Sequence, residues 1–135
     1  MGAWAEDAFG NDTACDWAGD FADNPSMELV EKAINAVISS NDYLDSDVAA
    51  EGLVACEIIA RLKGHWGERS SYSESIDAWV NSNQILPSSD LITKASTAIS
   101  RVLGENSELQ ELWDEDGVNE TWHQVMDDLA KRVAS

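Results

Sequence analysis

The helical character of the chain is clearest in residues 119–133, which read NETWHQVMDDLAKRV. Each apolar side chain of this stretch has another three or four positions away: Trp122, Val125, Met126, Leu129 and Val133. This spacing places them on one face of an α-helix. Because Asn readily accepts hydrogen bonds from the free amides of a first helical turn, we expect the helix to begin at Asn119.

The same periodicity recurs along the rest of the chain, and strand-like alternation is almost absent. Ser, Asp, Asn and Pro favour helix starts, and Gly favours left-handed helix ends. Helices are therefore predicted to begin at Pro25 and Ser26, at Asp45 or Ser46, at Pro87 and Ser88, and at Asn106. Two of them are predicted to end at Gly64 and at Gly104. The sequence predicts an all-α fold: a single compact bundle of six or seven helices, with residues 1–135 forming one acidic domain and residues 64–75 its longest loop.

Composition excludes several classes of partner. The chain has 26 acidic and 8 basic residues, which gives a net charge of −18. Such a charge repels a phosphate backbone and an anionic membrane surface, and no apolar run is long enough to span a bilayer. Because 44% of the residues are hydrophobic and six are Trp, a packed domain is expected rather than a disordered chain.

The predicted location is the cytoplasm. Residues 1–12 lack the basic residues and the long apolar stretch of a signal peptide. Cys15 and Cys56 each stand beside an alanine in a helical pattern, so we expect two free thiols that fill space in the core of a protein kept in a reducing compartment.

The charge is unevenly distributed along the chain. Residues 1–60 carry 13 acidic side chains and a single basic one, Lys32, whereas residues 61–135 carry 13 acidic and seven basic side chains. Self-repulsion of this kind destabilises a compact state, which suggests selection for a charge-dependent function. The alternative is that the acidic side chains only keep the protein soluble and monomeric.

An unusual motif stands at the amino terminus, where residues 1–17 read MGAWAEDAFGNDTACDW. Asn11 or Asp12 is expected to cap a helix with Trp17 on its inner side, and Trp4 and Phe9 are expected to clamp an extended aromatic arm onto the bundle. Asp12 and Asp16 lie one helical turn apart, so with Asn11 they form a candidate site for a divalent cation or for acid and base chemistry. The capping preference favours a structural role for this cluster over a chemical one.

At these residues the sequence resembles the bacterial family called domain of unknown function 4259. Its members begin with the pattern Met-Gly-Ala-Trp-Gly-x-Gly-x-Phe-x-Asn-Asp-x-Ala-x-Asp-Trp. The resemblance covers residues 1–17 closely and residues 49–60 and 102–113 more loosely, and two glycines of the pattern stand here as Ala5 and Asp7. It implies a small helical bacterial protein and supplies no established activity.

Signals for catalysis and for metal binding are weak. His65 and His123 are the two available imidazole bases, and neither has a nearby nucleophile in sequence; a Gly-x-Ser-x-Gly elbow and a Gly-rich phosphate loop are missing. Two Cys and two His lack the short spacings of zinc ligands, and the acidic turns at 42–47 and 114–120 do not fit a twelve-residue calcium loop. We expect a protein that is not an enzyme and needs no metal or cofactor.

A binding function is the remaining prediction, with a basic protein as the partner. By analogy with small acidic inhibitors of nucleases and other toxins, we predict an immunity or inhibitor protein that neutralises a cationic bacterial toxin. Two alternatives stay open: a small-ligand protein or enzyme that uses the Asn11, Asp12 and Asp16 cluster, and a DNA-charge mimic that sequesters a nucleic-acid-binding protein.

Two acidic patches beside an aromatic residue are the candidate binding sites. The first comprises Asp42, Tyr43, Asp45, Asp47 and Glu51. The second comprises Trp113, Asp114, Glu115 and Asp116. Since charged runs are often solvated faces without a partner, each patch is also compatible with an ordinary exposed loop.

Overall fold

The computed structural model describes residues 6–135, and each regular element in that part of the chain is a helix. The seven helices are α1 (Asp12–Asp23), α2 (Met27–Ile38), α3 (Ser46–Leu62), α4 (Glu74–Ser82), α5 (Ser89–Val102), α6 (Glu108–Trp113) and α7 (Glu120–Ala134). They pack against one another as a bundle. The predicted all-α fold is confirmed.

Helix α3 lies at the centre of the bundle and contacts each of the other six helices described. From Ala49 to Arg61 all of its residues except Glu51 are buried. Small side chains let the neighbouring helices approach closely: a Cβ atom added at Gly52 would lie 2.4 Å from Cγ2 of Val37 on α2. A helix surrounded in this way must be apolar on nearly every side, as its sequence is.

Side-chain caps begin five of the helices. Asn11 caps α1 by accepting a hydrogen bond from the backbone N of Ala14 at 2.8 Å. The other four caps accept from amides two or three residues further along: Ser26 for α2, Asp45 for α3, Ser88 for α5 and Asn119 for α7. The starts predicted at these positions are confirmed.

The segment before α6 differs from the prediction. Its N-cap is Ser107 rather than Asn106, and Asn106 has a left-handed φ of 56°. The backbone O of Asn106 accepts a hydrogen bond from the N of Leu44 at 2.8 Å, so this residue serves a turn and not a cap. Gly104 is also not the left-handed end predicted for α5: the helix ends at Val102 with a right-handed cap at Leu103, and the positive φ is at Asn106. Gly64, with a φ of 86°, is confirmed as the end of α3.

The described part of the amino-terminal arm is folded rather than extended. Residues 6–10 form bends and a turn in which the N of Gly10 donates to the O of Asp7 at 3.1 Å. The turn is needed because Phe9 must enter the core, where it is 1% exposed, immediately before Asn11 caps α1. Trp4, the other predicted clamp, lies outside the described residues.

Apolar side chains fill the interior, and a few remain outside. Trp122, Phe9 and Phe21 are the largest buried aromatic residues. The exposed large ones include Leu86, in the connection from α4 to α5, and Tyr43. Across residues 6–135 no helix combines the length and the apolar character needed to cross a lipid bilayer.

Candidate docking surface

The loop before α3 is attached to the start of α6 by backbone hydrogen bonds. Leu44 is buried and forms an isolated parallel bridge with Ser107. Its N donates to the O of Asn106 at 2.8 Å, and its O accepts from the N of Glu108 at 3.0 Å. With Leu44 held inward, its neighbours Tyr43 and Asp45 are exposed.

Two glutamates of α6 therefore join the first predicted patch. The hydroxyl of Tyr43 donates to Oε1 of Glu111 at 2.6 Å, and the tyrosine side chain remains 50% exposed. This hydrogen bond raises the pKa of Tyr43 to about 12, with smaller contributions from burial and from the nearby charges of Glu111, Glu108 and Asp45. Oε1 of Glu108 accepts from the N of Ser46 at 2.8 Å, so Glu108 and the cap Asp45 share the first turn of α3.

Helix α1 closes the other side of the patch. Oγ1 of Thr13 donates to Oδ1 of Asp47 at 2.7 Å. The pKa of Glu51 is raised by burial and then by the charges of Asp47, Asp20 and Asp45, which places Asp20 of α1 beside the carboxylates of α3. We call this assembly the Tyr43 surface: Asp20, Tyr43, Asp45, Asp47, Glu51, Glu108 and Glu111.

Asp42, although predicted with the first patch, faces elsewhere. It lines a shallow groove together with Thr97, Arg101 and Glu105. Arg101 donates there to the backbone O atoms of Ser40, Glu105 and Asn106 at 2.9–3.3 Å.

Part of the second predicted patch is engaged within the bundle. Trp113 is half-buried and stacks on Trp122, with ring centroids 6.2 Å apart. Asp114 accepts from the N of Asn119 at 2.9 Å and contacts Nε2 of His123 at 2.9 Å. Burial alone raises the pKa of Asp114, but these two contacts outweigh it and lower the pKa. Glu115 and Asp116 are exposed, so they carry the outward charge of this patch.

In the described part of the amino-terminal motif, Asn11 and Trp17 have structural roles. Asn11 is the cap of α1, and Trp17 stacks on Phe21 with ring centroids 5.4 Å apart. Asp12 and Asp16 are exposed on α1. Within the described residues no group of three or more Asp, Glu, His or Cys side chains is arranged to hold a metal ion.

A buried network of ion pairs was missed by the sequence reasoning. Arg61 of α3 is 1% exposed and donates to Glu57 on the same helix and, at 2.7 Å, to Asp77 of α4. Glu57 also accepts two hydrogen bonds of 3.0 Å from Arg132 of α7, which donates in addition to Asp128 at 2.8 Å. The network therefore joins α3, α4 and α7.

The cations whose contacts are described are not paired with the carboxylates of the Tyr43 surface, and Arg101, which reaches the O of Asn106 beside it, donates there to backbone O atoms. None of the seven ion pairs found in residues 6–135 includes one of its carboxylates. Arg61 and Arg132 serve the buried network, Lys63 donates to the backbone O of Val133, and Arg69 lies over the ring of Trp66 at 4.0 Å. The negative charge of the Tyr43 surface is therefore not neutralised by these cations.

Together these features define the chain as a small acidic all-α bundle with a carboxylate-rich surface around an exposed tyrosine. Residues 2–125 match the family described as Domain of unknown function (DUF4259), and the chain belongs to that family. No curated protein and no solved structure matches the chain.

Proposed function

We propose that this protein is a cytoplasmic binding protein without catalytic activity, which neutralises a basic partner protein. The partner we propose is a cationic bacterial toxin, with a nuclease as the clearest example, so that the chain acts as an immunity or inhibitor protein. The observation that carries the proposal is the Tyr43 surface, whose carboxylates have no cation partner within the described chain.

Electrostatics supports this reading. The raised pKa of Glu51 reflects burial and repulsion from Asp47, Asp20 and Asp45. These charges therefore destabilise the folded state when no partner is bound. A positively charged partner would relieve the repulsion and would be steered toward the surface during encounter. A nuclease has a basic cleft that binds phosphates, and carboxylates can occupy the same cleft.

Tyr43 gives the surface an anchor suited to a protein interface. Tyrosine is enriched among residues that contribute most to binding energy, because its ring offers apolar area and its hydroxyl a hydrogen bond. Here Glu111 holds the hydroxyl, so the half-exposed ring is fixed in orientation before a partner arrives. Preorganisation of this kind lowers the entropy cost of association.

The test is a binding experiment in which the candidate partner is a basic protein encoded by a gene adjacent to this one. The purified chain is immobilised and the neighbour protein is applied at about 0.05 M and about 0.5 M NaCl, where screening lengths differ about threefold. We expect retention at low salt and marked loss at high salt. Failure of a basic neighbour protein to be retained at low salt contradicts the proposal.

A further inference from the structure

A separate cleft of about 260 Å³ opens between the amino-terminal turn, the loop after α3, and α7. It shares no residue with the Tyr43 surface. Phe9, at the base of the cleft, is buried, whereas Val125 presents partly exposed apolar surface. Four carboxylates line the walls: Asp7, Glu57, Glu68 and Asp128. Arg132 is the one cation among the described residues that line it.

The loop wall of the cleft is held in place by hydrogen bonding and close packing. Nη2 of Arg61 donates to the backbone O of Glu68 at 2.7 Å. The preceding Gly67 lies so close to Arg132 that an added Cβ would be 2.8 Å from the guanidinium carbon. The cleft therefore has fixed sides before any ligand enters.

The charge of the cleft is negative and incompletely compensated. Arg132 is already hydrogen-bonded to Glu57 and Asp128, so it has little capacity left for an anion. Asp7 and Glu68 take part in none of the ion pairs found in the described chain. Burial raises the pKa of Asp7, a hydrogen bond from the backbone N–H of Phe9 opposes this, and the charges of Glu68 and Glu57 raise the pKa further.

These observations define the chemistry of a ligand. An anion would be repelled, and a neutral ligand would leave the half-buried charge of Asp7 without a countercharge, which is costly. In the described residues no three carboxylates lie close enough together to coordinate one metal ion. A larger cation with several hydrogen-bond donors fits the separated carboxylates of the cleft better. A guanidinium group has five N–H donors in a plane, and its alkyl stem suits an apolar wall.

We propose that this cleft binds a guanidinium group carried on a short aliphatic chain, with Asp7 and Glu68 accepting its hydrogen bonds and Val125 packing on the chain. Its volume is close to the lower limit of ordinary ligand pockets, which fits a ligand of the size of a single side chain. The inference is independent of the toxin partner proposed above, because it concerns different residues. The guanidinium could belong to a free small molecule or to an arginine side chain of another protein.

The probe is N-acetyl-arginine-N-methylamide, titrated into the full chain labelled with ¹⁵N while amide chemical shifts are recorded. We expect saturable shifts at Phe9 and Val125 and none with the matched citrulline compound, which has the same shape without the charge. n-Propylguanidine, a free monocation without the peptide groups, serves as the second probe. Tighter binding of n-propylguanidine assigns the site to a free molecule, and tighter binding of the capped arginine assigns it to a side chain.

The double variant Asp7→Asn and Glu68→Gln tests the assigned residues. Neither carboxylate is in a described ion pair, so we expect the variant to fold, with affinity for the probe reduced about tenfold or more by the loss of charge-assisted hydrogen bonds. The matched control Asp23→Asn and Glu28→Gln removes two exposed charges elsewhere and should bind as the unchanged chain does. Equal binding of the citrulline compound, unchanged affinity of the double variant, or no saturable shift up to about 10 mM probe overturns the proposal.

Discussion

Replacing the buried arginine of the ion-pair network tests how much of the stability depends on it. Arg61→Met keeps an aliphatic chain in the core but removes the donors to Asp77, to Glu57 and to the O of Glu68. Breaking a buried pair on one side costs about 3–5 kcal/mol. Since Glu57 keeps Arg132 and Asp77 keeps the hydroxyl of Ser73 at 2.7 Å, we expect about 3–4 kcal/mol, a large fraction of the typical stability of a domain.

Urea unfolding followed by circular dichroism at pH 7 measures this loss. Adding Asp77→Asn to Arg61→Met should restore about 1 kcal/mol or more, because the second change removes the charge that the first one leaves without its partner. Lys94→Met is the control: its amine lies 3.6 Å from Glu31 and 3.4 Å from Asp90 at the surface, so its loss should cost less than about 1 kcal/mol. If Arg61→Met and Lys94→Met lose equal stability, the network does not hold the bundle together as described.

Three further predictions concern single positions. Asp114→Ala should cost about 1–2 kcal/mol in urea unfolding at pH 7, since the acceptor for Asn119 and His123 is lost. Because the pKa of Asp114 is lowered in the folded state, its ionised carboxylate stabilises the fold above the unfolded pKa of about 3.9, and this stabilisation is lost as pH falls through the folded pKa. A series of unfolding measurements at decreasing pH should therefore show a smaller loss of stability in the variant than in the unchanged chain. Asn106→Ala should lower stability by about 1 kcal/mol while Asn106→Gly is nearly neutral, because the φ of 56° is left-handed; equal thermal midpoints for the two variants would argue against this explanation. Gly52→Ala should destabilise by about 1–3 kcal/mol in urea despite the better helix propensity of alanine, because the new Cβ meets Val37; a stabilised variant would show that α2 and α3 separate easily.

Helices and their starts were largely predictable from the sequence because they depend on local chemistry. Ser26, Ser88 and Asn119 stand immediately before apolar repeats, and each accepts the amide hydrogen bond expected of a cap. Asn106 was assigned to the wrong role because Asn is favoured both as a cap and in left-handed turns. Its contact with Leu44, 62 residues away in the chain, decides between the two, and local patterns do not contain that information.

The candidate surface was predictable only in part for the same reason. Tyr43 and the acidic residues of the α3 start could be read from the sequence, but Glu111 joins them through a hydrogen bond that spans 68 positions.

The buried pair of Glu57 and Arg61 could have been predicted from the sequence. These residues are one turn apart in a helix otherwise rich in Ala, Val and Ile, and a charged pair within an apolar helix is expected to be buried and paired.

The central claim is that the Tyr43 surface, rather than the total charge, binds a basic partner. It is tested most directly by calorimetric titration of two variants, each lacking three negative charges, against a basic protein that the salt-dependent binding experiment retains. The first, Asp47→Asn with Glu51→Gln and Glu111→Gln, lies on the Tyr43 surface; the second, Asp23→Asn with Glu28→Gln and Asp127→Asn, lies elsewhere on the exterior. We predict that the first weakens binding about 100-fold and the second less than about threefold. Equal weakening by both variants would contradict the claim and would leave only a general effect of net charge.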